Sequence, residues 1–153
     1  MRYLRGHLLG RRLISEDDLH LFRVTQDVGE AVEGIVRFYR VYHSSRYVGK
    51  TLVLRLHSPL PRAAVERIGR EFRDILTGPL TQGGPSPEEG DPPELPLLPR
   101  LFVPFDRRHY GRLRLFIDAV NAAGAADNPH PARRDALPAR SIASRPAERL
   151  PGR

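Results

Sequence analysis

The chain contains no cysteine. That absence excludes a disulfide framework, a zinc-thiolate site, an iron–sulfur cluster and a thiol nucleophile together. Lysine is almost missing as well: Lys50 is the one lysine among 25 basic residues, and the rest are arginine. Nucleic-acid surfaces usually recruit both cations and interleave them with aromatics. No such stripe stands out, so the net charge of +7 reads as a diffuse solvated surface, with nucleic-acid binding the lesser expectation. Long apolar runs are lacking too. No window approaches the roughly 20 residues of a membrane span. The first ten residues, broken by Arg2, Arg5 and His7, are too short for a signal peptide. A cytoplasmic protein without membrane contact is expected.

Proline and glycine are abundant, at 15 and 13 residues. Twelve of the prolines fall in two blocks, 79–99 and 129–151, which read as a linker and part of a tail rather than as core. Setting the linker and the tail aside leaves roughly 100 residues, enough for one modest hydrophobic core and no second domain.

Elsewhere, helical and strand patterns alternate. Residues 2–10 place Tyr3, Leu4 and Leu8 on one side, like the last turns of a helix that began earlier and stops at Gly10. Ser15 caps a brief helical turn, with Asp17 and Asp18 at its positive end and Ile14 and Leu19 as a hydrophobic staple. Leu21, Phe22 and Val24 form a short apolar run, the pattern of a strand buried on both faces of a parallel sheet. Asp27 and Glu30 open a helix whose stripe is Val28, Ala31, Val32, Ile35, Val36, Tyr39 and Tyr42. A polar turn is expected at 43–46. A half-buried strand follows at 51–56, with Leu52, Leu54 and Leu56 on one face and Val53 and Arg55 on the other. Pro59 and Pro61 lead into a helix with Val65, Ile68, Phe72, Ile75 and Leu76 buried and Gly78 at its end. Leu101, Val103 and Phe105 alternate as a further strand, which Pro104 confines to a sheet edge or terminates. Asp106 caps a last helix carrying Tyr110, Leu113, Phe116, Ile117 and Val120, with Asn121 near its end.

Little of this carries chemistry. The six histidines show no i, i+4 pair, so no metal site is expected. Asp17-Asp18 and Glu88-Glu89 could in principle work as acid and base, but one pair opens a helix and the other sits in the linker. Capping and solvation explain both. The constellation His43-Ser44-Ser45-Arg46-Tyr47 offers hydroxyls, a guanidinium and a phenol to a phosphate or carboxylate, and is the candidate anion site. The same residues also describe a turn in which Arg46 pairs with an acid such as Glu33. Asp106-Arg107-Arg108-His109-Tyr110 is a second basic cluster, read as an N-cap with solvated arginines.

The run Leu13-Ile14-Ser15-Glu16-Asp17-Asp18-Leu19, then Leu21-Phe22-Arg23-Val24-Thr25, Asp27 and Glu30-Ala31-Val32, resembles the closing strand and helix of the Lonely Guy family of Rossmann-like proteins, often labelled lysine decarboxylase-like. The continuation is similar to a C-terminal extension of a bacterial subset of that family. It comprises Phe38-Tyr39-Arg40-Val41-Tyr42-His43-Ser44-Ser45-Arg46-Tyr47-Val48, Leu52-Val53-Leu54-Arg55-Leu56 and Phe105-Asp106-Arg107-Arg108 with Tyr110-Gly111-Arg112-Leu113. Members of the family release ribose 5-phosphate from nucleoside 5′-monophosphates through a Pro-Gly-Gly-x-Gly-Thr-x-x-Glu segment. That segment does not occur here. Gly83-Gly84-Pro85, the nearest string, lacks the following Gly-Thr. No catalytic residue and no cofactor site is therefore carried over.

The resemblance implies an α/β chain in three parts. Residues 1–48 would be the C-terminal edge of a Rossmann-like sheet, 49–121 a small two-layer α/β extension with the linker 79–99, and 122–153 a disordered tail. The implied role is a non-catalytic accessory module that packs against a Rossmann-type core chain or forms a homo-oligomer. The alternatives are an arginine-rich module for nucleotide or RNA phosphates, and one half of a split phosphoribohydrolase.

Overall fold

A computed structural model describes residues 3–90 and 97–125. Its centre is a four-stranded antiparallel sheet of β1 (Tyr42–Val48), β2 (Thr51–Leu56), β3 (Thr81–Gly83) and β4 (Arg100–Val103), in the order β1-β2-β4-β3. Three α-helices accompany it: α1 (Val28–Phe38), α2 (Arg62–Glu71) and α3 (Tyr110–Ala125). The mixed α/β class expected from the sequence is what is found. No helix among the described residues is long and apolar enough to cross a membrane.

One sheet face forms the core. Leu52, Leu54, Leu56, Leu101 and Val103 meet Ile68 and Phe72 around α2, and Phe116, Ile117 and Val120 of α3. The Phe72 and Phe116 rings meet edge to face at 5.4 Å, a favoured geometry for aromatic pairs. The expected face for Val53 and Arg55 needs correction, because both are buried too. What covers them is the proline-rich segment read as a linker. It supplies β3, then a 3₁₀ turn Pro87–Glu89 closed by a capping box between Ser86 and Glu89. Residues 91–96 lie outside the described ones.

Other boundaries shift for local reasons. The polar stretch 43–46 is strand, not turn: β1 pairs with β2 through Ser44↔Arg55 to Val48↔Thr51, and the reversal is Gly49-Lys50 with Gly49 at φ +57°. Hydroxyl and charged side chains suit β1 because it is an edge strand. α1 stops at Phe38, so Tyr42 belongs to the sheet. α2 ends at Glu71, short of Gly78. β4 is interior, and Pro104 costs the ladder nothing because it follows the last strand residue. α3 runs past Asn121 to Ala125, so residues 122–125 are helix rather than tail. The rest of the expected tail, 126–153, lies outside the described residues.

The N-terminal third departs most. Leu4–Leu9 winds as a short π-helix, and Asp17–Leu21 is a 3₁₀ turn. Phe22 is extended, at φ −141° and ψ 150°, yet residues 22–25 pair with no strand among the described residues. The expected doubly buried strand is therefore absent from the sheet, and Leu21, Phe22 and Val24 are exposed. The 3₁₀ turn rests instead on the start of α3, where Gly111 allows the contact. A Cβ there would lie 2.3 Å from the carbonyl carbon of Asp17 and 2.4 Å from the Asp18 nitrogen.

Candidate functional site

The strand alternation of β1 divides the candidate anion cluster. Ser44 and Arg46 stand opposite Arg55 and Val53, on the face covered by the 3₁₀ turn, while Ser45 and Tyr47 stand opposite the core residues Leu54 and Leu52. His43 falls in a bulge between Tyr42 and Ser44. The five side chains thus do not converge. His43 Nδ1 lies 2.9 Å from Ser44 Oγ, which also accepts from Arg55 at 3.3 Å. Ser45 Oγ lies 3.1 Å from the Tyr42 hydroxyl. Tyr47 lies under the Arg107 guanidinium, 4.2 Å from ring centroid to Cζ. Burial, then the neighbouring Tyr110 phenol, push the Tyr47 phenol up to about 12.

Sequence reasoning missed the most buried acid among the described residues. Glu89, assigned to a solvated linker, is 1% exposed and accepts from Arg100 Nε at 2.8 Å, with Arg100 fully buried. Arg55 Nε approaches the same carboxylate oxygen at 3.8 Å. This acid serves as an internal counter-ion for two arginines on adjacent strands, not as a general acid. A signal was present: Ser86 followed three residues later by Glu89 is a capping-box spacing, which marks an ordered turn.

Asn121 was missed as well. Its Oδ1 accepts from the Val41 and Tyr42 amides at 2.8 and 2.9 Å, and its Nδ2 donates to the Phe38 carbonyl at 2.7 Å. One buried side chain thus joins the end of α1, the start of β1 and α3. Nothing local could show this, since its partners lie 79 or more positions away.

Asp18, Asp27 and Asp106 accept from backbone amides near helix starts, as the sequence indicated. Asp18 accepts from the Ser15 amide at 2.8 Å. That bond, with the Ser15 hydroxyl and the Gly111 amide, outweighs partial burial and holds its carboxyl below the usual range. At Asp106, burial raises the pKa, but bonds from the Arg108 and His109 amides and the His109 ring lower it further, and the net direction is down. Asp27 caps α1 by accepting from the Glu30 amide at 2.7 Å. Glu30 itself turns to Arg23 and to the Thr25 hydroxyl. No group of three or more His, Asp or Glu among the described residues could hold a metal ion.

What remains open is α1. None of its residues is buried. Its half-buried positions are Ala31, Gly34 and Phe38. Phe38 packs against the core and carries the Arg114 guanidinium over its ring at 4.5 Å. Val28, Val32, Ile35, Val36 and Tyr39 each expose half or more of their surface. At 100° per residue these five lie within about 100° of arc, so they form one apolar stripe. Beside α1 an open groove of about 810 Å³ runs along α3, rimmed by Arg23, Arg37, Arg40 and Arg114. The Arg37 and Arg40 side chains take no hydrogen bond or ion pair among the described residues. An amphipathic helix that shows solvent its β-branched stripe is a surface awaiting a cover. Comparison with protein families, with curated proteins and with solved structures finds no match to this chain.

Proposed function

We propose that the chain is a non-catalytic association module that packs against, or dimerises, a Rossmann-type core of the Lonely Guy kind. The observation that carries the reading is the exposed stripe of α1, continued by Leu21, Phe22 and Val24 on the segment leading into it. Exposed apolar area on this scale is costly to a monomer and favours a partner. The site chemistry supports the same reading, because Asp18, Asp27 and Glu89 are committed to caps or to a buried arginine, and His43 is not positioned against any nucleophile with a third orienting group.

The test is size and composition in solution. The purified chain, alone and mixed with a chain bearing the glycine-rich segment, is followed by light scattering after gel filtration. Association that Val32→Asp abolishes is expected. A wild-type chain that stays monomeric in both samples would remove the reading. A second reading, binding of nucleotide or RNA phosphates, draws on Arg37 and Arg40 beside the stacked rings of Tyr39 and Tyr42, whose centroids are 5.9 Å apart. It predicts salt-dependent RNA retention that Arg37→Ala and Arg40→Ala remove together.

A further inference from the structure

We infer that the groove between α1 and α3 binds a fatty-acid-type carboxylate, its head held by Arg37 and Arg40 and its chain laid over Gly34. The inference goes beyond the association reading above and does not depend on it.

Charge is the first observation. The charged side chains that line the groove are Arg23, Glu30, Arg37, Arg40, Arg114 and Asp118. Arg23 pairs with Glu30, and Arg114 with Asp118. Both acids are thereby neutralised, while Arg37 and Arg40 have no ion pair or side-chain hydrogen bond among the described residues. The Arg40 amide bonds back to the Arg37 carbonyl at 3.4 Å, so the turn continues and the two guanidiniums leave the chain as neighbours three positions apart. Two adjacent guanidiniums call for an anion, and a carboxylate has oxygens enough to accept from both.

Shape is the second. The groove holds about 810 Å³, inside the range of roughly 300–1,000 Å³ for small-molecule sites. Its apolar lining is Ala31, Gly34, Ile35, Phe38 and Ala122, with the unpaired cations toward the C-terminal end of α1. The neutral polar groups beside them are already engaged: Asn121 bonds Val41, Tyr42 and Phe38, and the Thr25 hydroxyl donates to Glu30. A nucleotide would find nothing there to read its base or ribose, whereas an acyl chain needs only apolar contact.

Gly34 is the third. It stands in the middle of α1, where glycine costs helix stability relative to alanine. Neither conformation nor packing requires it, because its φ is outside the left-handed region and a Cβ built there meets no atom within 4 Å. The residue is half-buried in the groove wall. A side chain missing over open space lets a ligand lie close to the helix backbone beside the two arginines.

Isothermal titration calorimetry of the full chain with dodecanoate, kept below its micelle concentration, tests this. The wild type should bind it saturably, and Arg37→Gln/Arg40→Gln should weaken binding by about tenfold or more. Gly34→Leu should abolish binding by filling the groove, yet keep or raise the Tm, since leucine favours the helix and no atom opposes it. The melt thus separates a blocked groove from a lost fold. Val32→Ser, on the exposed stripe but outside the groove lining, should bind as the wild type does. Absence of saturable wild-type binding overturns the inference, as does binding indifferent to Gly34→Leu or to the arginine pair. Equal binding of dodecyltrimethylammonium would show apolar adhesion without charge recognition, and overturns it too. If AMP binds through the same arginines and dodecanoate does not, the occupant is a nucleotide phosphate and the inference falls.

Discussion

Glu89 shows how much one side chain decides here. With Arg100 fully buried beside it, removing the carboxylate charge leaves a buried guanidinium without its acid. Glu89→Gln is expected to lower the unfolding free energy by roughly 3 kcal/mol in urea denaturation. Asn121→Ala should cost about 2 to 4 kcal/mol by the same measurement, because two amides and a carbonyl lose their partner at a buried position. Tyr47 offers a third check. Its phenol is raised from 10.0 to about 12, so the folded state favours the neutral form. The resulting stability is complete below pH 10 and lost as pH rises from 10 toward 12. A spectrophotometric titration should show a late-ionising phenol that Tyr47→Phe removes.

Among the elements, the 3₁₀ turn Asp17–Leu21 depends on α3 more than on its own bonds. Its backbone lies on Gly111, where a Cβ would meet the Asp17 carbonyl carbon at 2.3 Å. Gly111→Ala should therefore free residues 14–25 to exchange amide hydrogens quickly while β2 and β4 stay protected. The same contact sets an acid dependence. Asp18 and Asp106 both titrate below their ordinary values in the fold. Their contribution is complete at neutral pH, and is lost as pH falls from about 4 through the lower folded values. Asp18→Asn and Asp106→Asn should each flatten that acid limb in thermal melts. Helix α1 has 11 residues, too short to be stable alone in water. Its place is fixed by Asn121 and Phe38 at one end, while its capping acid and its periodicity were plain in the sequence.

For the molecule as a whole, the expected outcome is an absence of turnover. The chain alone should release no ribose 5-phosphate from AMP, since the segment that would hold the phosphate is not in its sequence. Reproducible release, lost on substituting a residue of this chain, would contradict that. Of the candidate site, the residue types were legible and their arrangement was not. His43 to Tyr47 read as a donor-rich turn because all five are polar or amphipathic, but an edge strand tolerates the same residues, and its alternation sends them to different faces.

The sequence alone determined whatever depends on neighbours a few positions apart. Asp27 capping α1, Ser15 with Asp18, the shared core face of Leu52, Leu54 and Leu56 on β2 and that of Phe116, Ile117 and Val120 on α3 are all short-range patterns, and each recurs in the fold. Tertiary structure decided what depends on distant partners. Burial of Val53 and Arg55 required the proline-rich segment to fold back over the sheet, and the fate of Glu89 required Arg100 to stand beside Arg55 on the next strand. The stripe of α1 belongs to both. Periodicity announced it, but only the tertiary structure, which holds α1 through Phe38 and Asn121 and leaves Val28, Val32, Ile35, Val36 and Tyr39 exposed, showed that this face is left without a cover among the described residues. Helix periodicity specifies an apolar face without saying what covers it, because burial is a property of the whole surface rather than of the chain segment.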